Sequence, residues 1–129
     1  MAELRKRSRR HTDTLFCVYT RNDDQFVGCL VDMTIEGVKL RTMAPMETDA
    51  IFQFRMDLPE KIGGSAVISF DAESVWCKEC ADSPEYHVGF RMKNVPRAES
   101  ERIEQLINGP LFKEANAVVH ITVSKKTTQ

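Results

Sequence analysis

The sequence predicts a mainly β domain, a small barrel or sandwich of antiparallel strands followed by one helix. Three observations carry this expectation. Apolar and polar residues alternate with a period of two in several short segments, polar or glycine-containing turns separate those segments, and a helical period appears only after Pro96. Alternation on this scale means antiparallel strands with one face on a core and the other in water. Six such strands fall within about eighty residues, and closing or stacking them removes exposed edges.

The first strand is expected over Thr14–Thr20, ending at the polar cluster Arg21-Asn22-Asp23-Asp24. The second, Gln25–Val31, places Phe26 and Leu30 on one face and Val27, Cys29 and Val31 on the other. Val38 and Leu40 alternate with Lys39 and Arg41 in the third, and Phe52, Phe54 and Met56 with Gln53, Arg55 and Asp57 in the fourth. Gly63-Gly64 marks a hairpin into the fifth, where Ala66, Ile68 and Phe70 share a face and Trp76 lies near the end. Tyr86, Val88, Phe90 and Met92 define the sixth. Ile103, Leu106 and Ile107 then sit at helical spacing before the stop Asn108-Gly109-Pro110, and this helix could plug one end of the barrel. Ala117–Val123 reads as an added C-terminal strand, free to pack on the barrel, pair with another subunit or occupy an edge.

The chain has 129 residues, 42% of them apolar and 29% charged, which suits a single globular domain. Its net charge is −1, yet residues 1–10 hold five basic side chains (Arg5, Lys6, Arg7, Arg9 and Arg10) against Glu3 alone, leaving the rest at −5. No apolar run approaches the roughly 18–20 residues of a membrane span, and Leu4 is followed at once by Arg and Lys, so a cytoplasmic protein is expected. Cys17, Cys29, Cys77 and Cys80 are then reduced thiols, most of them small core residues. There is no glycine-rich phosphate loop and no Gly-x-Ser-x-Gly, and only three histidines, so neither catalysis nor a cofactor is expected. Cys77-Lys78-Glu79-Cys80 supplies half of a zinc site at most, and a dithiol of the thioredoxin kind lacks its βαβ setting, so no metal is expected.

Two segments can carry recognition chemistry. Arg5-Lys6-Arg7-Ser8-Arg9-Arg10 lacks apolar periodicity and reads as a flexible arm whose guanidinium groups can bind phosphate bidentately, stack on purines and grip O6 and N7 of guanine. By itself the run equally describes a solvated basic tail or a weak nucleic-acid patch. Asp32-Met33-Thr34-Ile35-Glu36-Gly37 offers a carboxylate acceptor for guanine N1 and N2, a hydroxyl donor, and a glycine that permits positive φ or close approach to the backbone. By itself that segment is also an ordinary β-turn. A nucleic-acid-binding barrel is disfavoured because the body is acidic and lacks an aromatic stacking strip.

In their order and spacing these segments resemble the PilZ domain, the bacterial receptor module for cyclic di-GMP. Arg5-Lys6-Arg7-Ser8-Arg9 fits the family's Arg-x-x-x-Arg arm, and Asp32 to Gly37 fits its [Asp/Asn]-x-[Ser/Ala]-x-x-Gly turn, with Thr34 where Ser or Ala is usual. Val75-Trp76 and Tyr86-His87-Val88-Gly89-Phe90 also look like the family, and the resemblance covers about residues 3–109. It implies a six-stranded antiparallel β-barrel with one C-terminal α-helix. It further implies that Arg5 and Arg9 clamp guanine and phosphate, that Arg10 contributes beside them, and that Asp32, Thr34 and Gly37 form the complementary surface. The expected organisation is a flexible basic arm (residues 1–12), the barrel with its helix (13–109) and a C-terminal extension (110–129). The implied function is a non-catalytic cyclic di-GMP receptor or adaptor that switches when the arm closes on its ligand and passes the signal to a downstream protein. The alternative is a PilZ-like adaptor that binds a protein partner without nucleotide.

Overall fold

The computed structural model describes residues 10–114. They form strands β1 (Arg10–His11), β2 (Cys17–Thr20), β3 (Phe26–Met33), β4 (Gly37–Thr42), β5 (Ile51–Ile62), β6 (Ser65–Glu79) and β7 (Tyr86–Lys93), then helix α1 (Arg97–Ile107) and strand β8 (Lys113–Glu114). The sheet runs β2-β5-β6-β7-β4-β3, and pairing of β2 with β3 closes it into a six-stranded barrel whose paired strands are all antiparallel. The expected barrel and helix are therefore both present. The added strand expected at Ala117–Val123 lies outside the described residues.

The period-two pattern sets which face is buried. Val18, Leu30, Met33, Val38, Leu40, Phe54, Met56, Ile68, Phe70, Val88 and Phe90 all point inward. Phe54 organises the aromatic centre, with Phe52 stacked at 5.5 Å and Phe70 and Phe90 edge-on at 5.8 and 5.2 Å. Ile103, Leu106 and Ile107 bring α1 onto this core against β5 and β6. At the β5–β6 turn Gly63 and Gly64 have φ of 59° and 81°, the two positive angles that a two-residue type I′ hairpin requires.

Three local departures from simple alternation matter. Register shifts occur in β2–β3 between Val18 and Tyr19, in β3–β4 between Leu30 and Asp32, and in β6–β7 between Ser74 and Trp76. The first corrects the expected shared face of Phe26 and Leu30. The bulged Val27 turns Phe26 outward beside Tyr19, ring centroids 5.7 Å apart, while Leu30 stays in the core. A second correction concerns the cysteines: all four are free and only half-buried, Cys17, Cys29 and Cys77 at strand positions outside the fully buried row and Cys80 just past the end of β6.

Residues 10 and 11, assigned to the arm on sequence, pair with β3. β1 and β2 thus occupy successive stretches of one edge of β3, and β8 adds on the far side of β1. Thr12 Oγ1 donates to Leu111 O at 2.6 Å, and Phe112 packs on Phe16 with centroids 5.5 Å apart. The start of the 110–129 extension is therefore part of the packed domain.

Candidate functional site

β3 and β4 form a hairpin whose loop is Thr34–Gly37, and the residues singled out on sequence cluster around it. Thr34 N–H donates to Gly37 O at 2.8 Å, closing the loop. Thr34 Oγ1 also accepts from the N–H groups of Glu36 and Gly37, both at 3.0 Å. These two bonds define the loop's shape, and they leave the hydroxyl hydrogen to point elsewhere. The additional methyl of threonine is accommodated without loss of either bond. Gly37 is required for close approach and not for a positive φ: a β-carbon there would stand 2.9 Å from Phe90 O. Met92 N–H donates to Glu36 O at 2.8 Å, which fastens the loop to β7.

Asp32 precedes this loop and is buried, with 7% of its surface exposed. The bulge between Leu30 and Asp32 aligns it with Lys39, whose Nζ lies 3.4 Å from Asp32 Oδ2. The carboxylate is thus held in place by a half-buried ammonium. On its other side β1 brings His11 opposite Asp32 and Arg10 opposite Met33. The backbone of Arg10 is therefore rooted next to Asp32, whereas Arg5 and Arg9 lie outside the described residues.

A groove of about 660 Å³ opens beside the loop. One wall is Thr34–Gly37 and the other is Trp76 with Gly89, Arg91 and Met92. Trp76 faces Gly89 across the β6–β7 ladder, and the bulge at Val75 sets that register. Next along β4 and β7, Arg41 pairs with His87. Burial lowers the His87 pKa from its ordinary 6.5, and Lys39 and Arg41 lower it further against the opposing pull of Asp32 and Glu85. Lys39 and Arg41 are each matched by a carboxylate here, Asp32 at 3.4 Å and Glu85 at 3.5 Å.

Thr34, Trp76 and Arg91 give the groove a hydroxyl, an indole and a guanidinium. The register Asp32–Lys39–Gly89–Trp76 sets the carboxylate and its ammonium in the same row across the strands. This arrangement can receive a planar ring bearing N–H donors together with an anionic group. Asp32, Thr34 and Gly37 are brought together as anticipated, and Arg10 joins them through its backbone. Lys39 and Trp76 were not assigned to the site on sequence. Counting outward from the loop would have paired Asp32 with Lys39, since Met33 stands opposite Val38. Among the described residues no three His, Cys, Asp or Glu side chains converge to hold a metal ion. No described helix is long and apolar enough to cross a membrane.

A family model described as PilZ domain matches residues 3–109. The fold is similar to that of the Bacillus subtilis inhibitor of motility MotI/DgrA, at 11% identity and TM-score 0.64 over 79% of this chain and 48% of that one. It is also similar to the PilZ domain of YcgR from Escherichia coli, solved with c-di-GMP, at 15% identity and TM-score 0.59 over 93% and 95% of the two chains. The K. pneumonia MrkH–c-di-GMP complex gives 16% identity and TM-score 0.58 over 93% and 53%. The chain spans about half the length of MotI and MrkH. No curated protein sequence matches it.

Proposed function

Because the chain belongs to the PilZ domain family, we propose that it is a cyclic di-GMP receptor, a binding module and not a catalyst. Asp32 accepts hydrogen bonds from the guanine N1 and N2 donors, the Thr34 hydroxyl donates to the ligand, and Gly37 allows ligand and loop to approach closely. Arg5, Arg9 and Arg10 close over the other side, gripping phosphate and the guanine O6 and N7 edge. Trp76 supplies a flat wall for a base, and Lys39 adds positive charge. Both relatives solved with c-di-GMP share this fold, which is consistent with that ligand class.

The observation that carries this reading is the β1–β3 register, Arg10 opposite Met33 and His11 opposite Asp32. It sets the backbone of Arg10 and His11 beside Asp32, which supports a reading in which the basic segment serves the same ligand as the carboxylate. Arm closure brings several like charges together, and a dianionic ligand offsets their repulsion. The surface altered by closure is what a downstream protein would read.

Calorimetric titration of the purified chain with cyclic di-GMP tests the proposal. Micromolar or tighter binding is expected, with loss in Arg9→Ala and in Asp32→Ala. No binding to the intact chain would overturn it.

A further inference from the structure

Cys17 on β2 and Cys29 on β3 stand directly opposite each other across the seam that closes the barrel. The neighbouring pair fixes their geometry. Leu30 N–H donates to Phe16 O at 3.0 Å, so Phe16 and Leu30 form a hydrogen-bonded pair, and alternation along the ladder makes Cys17 and Cys29 a non-hydrogen-bonded one. In such pairs the α-carbons are about 4.5 Å apart and the side chains lie closest. A disulfide spans α-carbons about 4.4–6.8 Å apart. Both thiols are free and both side chains are half-buried. Cys29 also lines an open cavity of about 420 Å³ bordered by Thr12, Leu15 and Arg41, which gives a small oxidant access.

We propose that Cys17 and Cys29 form a thiol-oxidation site that closes reversibly to a cross-strand disulfide on reaction with a hydroperoxide. One cysteine, as thiolate, attacks the outer peroxide oxygen. The O–O bond breaks, an alcohol or water leaves, and the sulfur becomes a sulfenic acid. The second thiol then displaces hydroxide from that sulfur and gives up its proton, releasing water as the S–S bond forms. Two thiols thus lose two electrons and two protons to one peroxide. Burial, then the nearby Cys17, pushes the Cys29 thiol up, so the reaction speeds up as pH rises. The chemistry is independent of any nucleotide, so its test stands apart from the receptor reading.

Hydrogen peroxide treatment of the folded chain, followed by alkylation, trypsin and mass spectrometry, provides that test. Arg21 lies between the two cysteines, so they fall in separate peptides, residues 11–21 and 22–39. The expected product is these two peptides linked within one chain, released by dithiothreitol, absent from Cys17→Ser and retained in the Cys77→Ser/Cys80→Ser variant. Recovery of both peptides fully alkylated, over-oxidation of Cys29 without linkage, or a bond formed only between two chains would overturn the proposal. The wild-type map needs no variant to fold.

Discussion

The indole of Trp76 occupies the space that a β-carbon on Gly89 would need. Such a carbon would lie 2.3 Å from both Cε2 and Nε1 of the ring. Gly89 thus sets where the only tryptophan of the chain can rest, and with it one wall of the groove beside Thr34–Gly37.

Gly89→Ala should therefore expel the indole from its seat and destabilise the domain by about 1–3 kcal/mol, as overpacking usually does. Tryptophan emission should shift to longer wavelength. In the Gly89→Ala/Trp76→Ala double variant the clash is gone, so the two costs should fall well short of adding. Additive denaturation free energies would contradict this account.

Thr34→Ala removes the acceptor for the N–H groups of Glu36 and Gly37. A loss of about 1–2 kcal/mol in urea denaturation is expected, because Gly37 is buried and water replaces its lost partner poorly. Thr34→Ser keeps the oxygen and should stay within about 0.5 kcal/mol of wild type.

Ser74 is fully buried. Its Oγ donates to Glu47 O at 2.5 Å and accepts from Ala50 N–H at 3.2 Å. It ties the chain before β5 to the residue at which β6 bulges toward Trp76. Ser74→Ala leaves these backbone groups without that partner and should cost about 1–3 kcal/mol. A thermal melt unchanged from wild type would be the contrary result.

His87 links stability to pH. Its folded pKa is depressed below the ordinary 6.5, by burial first and by Lys39 and Arg41 next. The unfolded chain therefore binds the proton more readily. The His87 contribution is fully present above pH 6.5, falls away as pH drops toward the folded value, and levels off below it. Denaturation series across this window should slope less in His87→Gln than in wild type.

The strands were legible because Ile68, Phe70 and Ala72, or Val38 and Leu40, keep strict alternation along half-buried strands. The bulges were not. A single inserted residue such as Val27 or Val75 leaves an apolar letter in place and silently reverses the faces around it, which is how Phe26 and Val75 come to be exposed. β1 and β8 are two residues each, too short for any periodicity. They exist through pairing with partners distant in sequence. At the site, Asp32, Thr34 and Gly37 are local in sequence and could be read together. Trp76 joins them only through the β6–β7 ladder, a contact that one sequence does not spell out.

β1 is held between β3 on one side and β8 on the other, with Thr12 bonded to Leu111 O and Phe16 packed on Phe112. These two residues of strand share their pairing between both margins. Any displacement of Arg10 and His11 must disturb Lys113 and Glu114 as well. The two ends of the described chain are therefore mechanically geared, and a probe attached near residue 114 should register events at Asp32 from a distance.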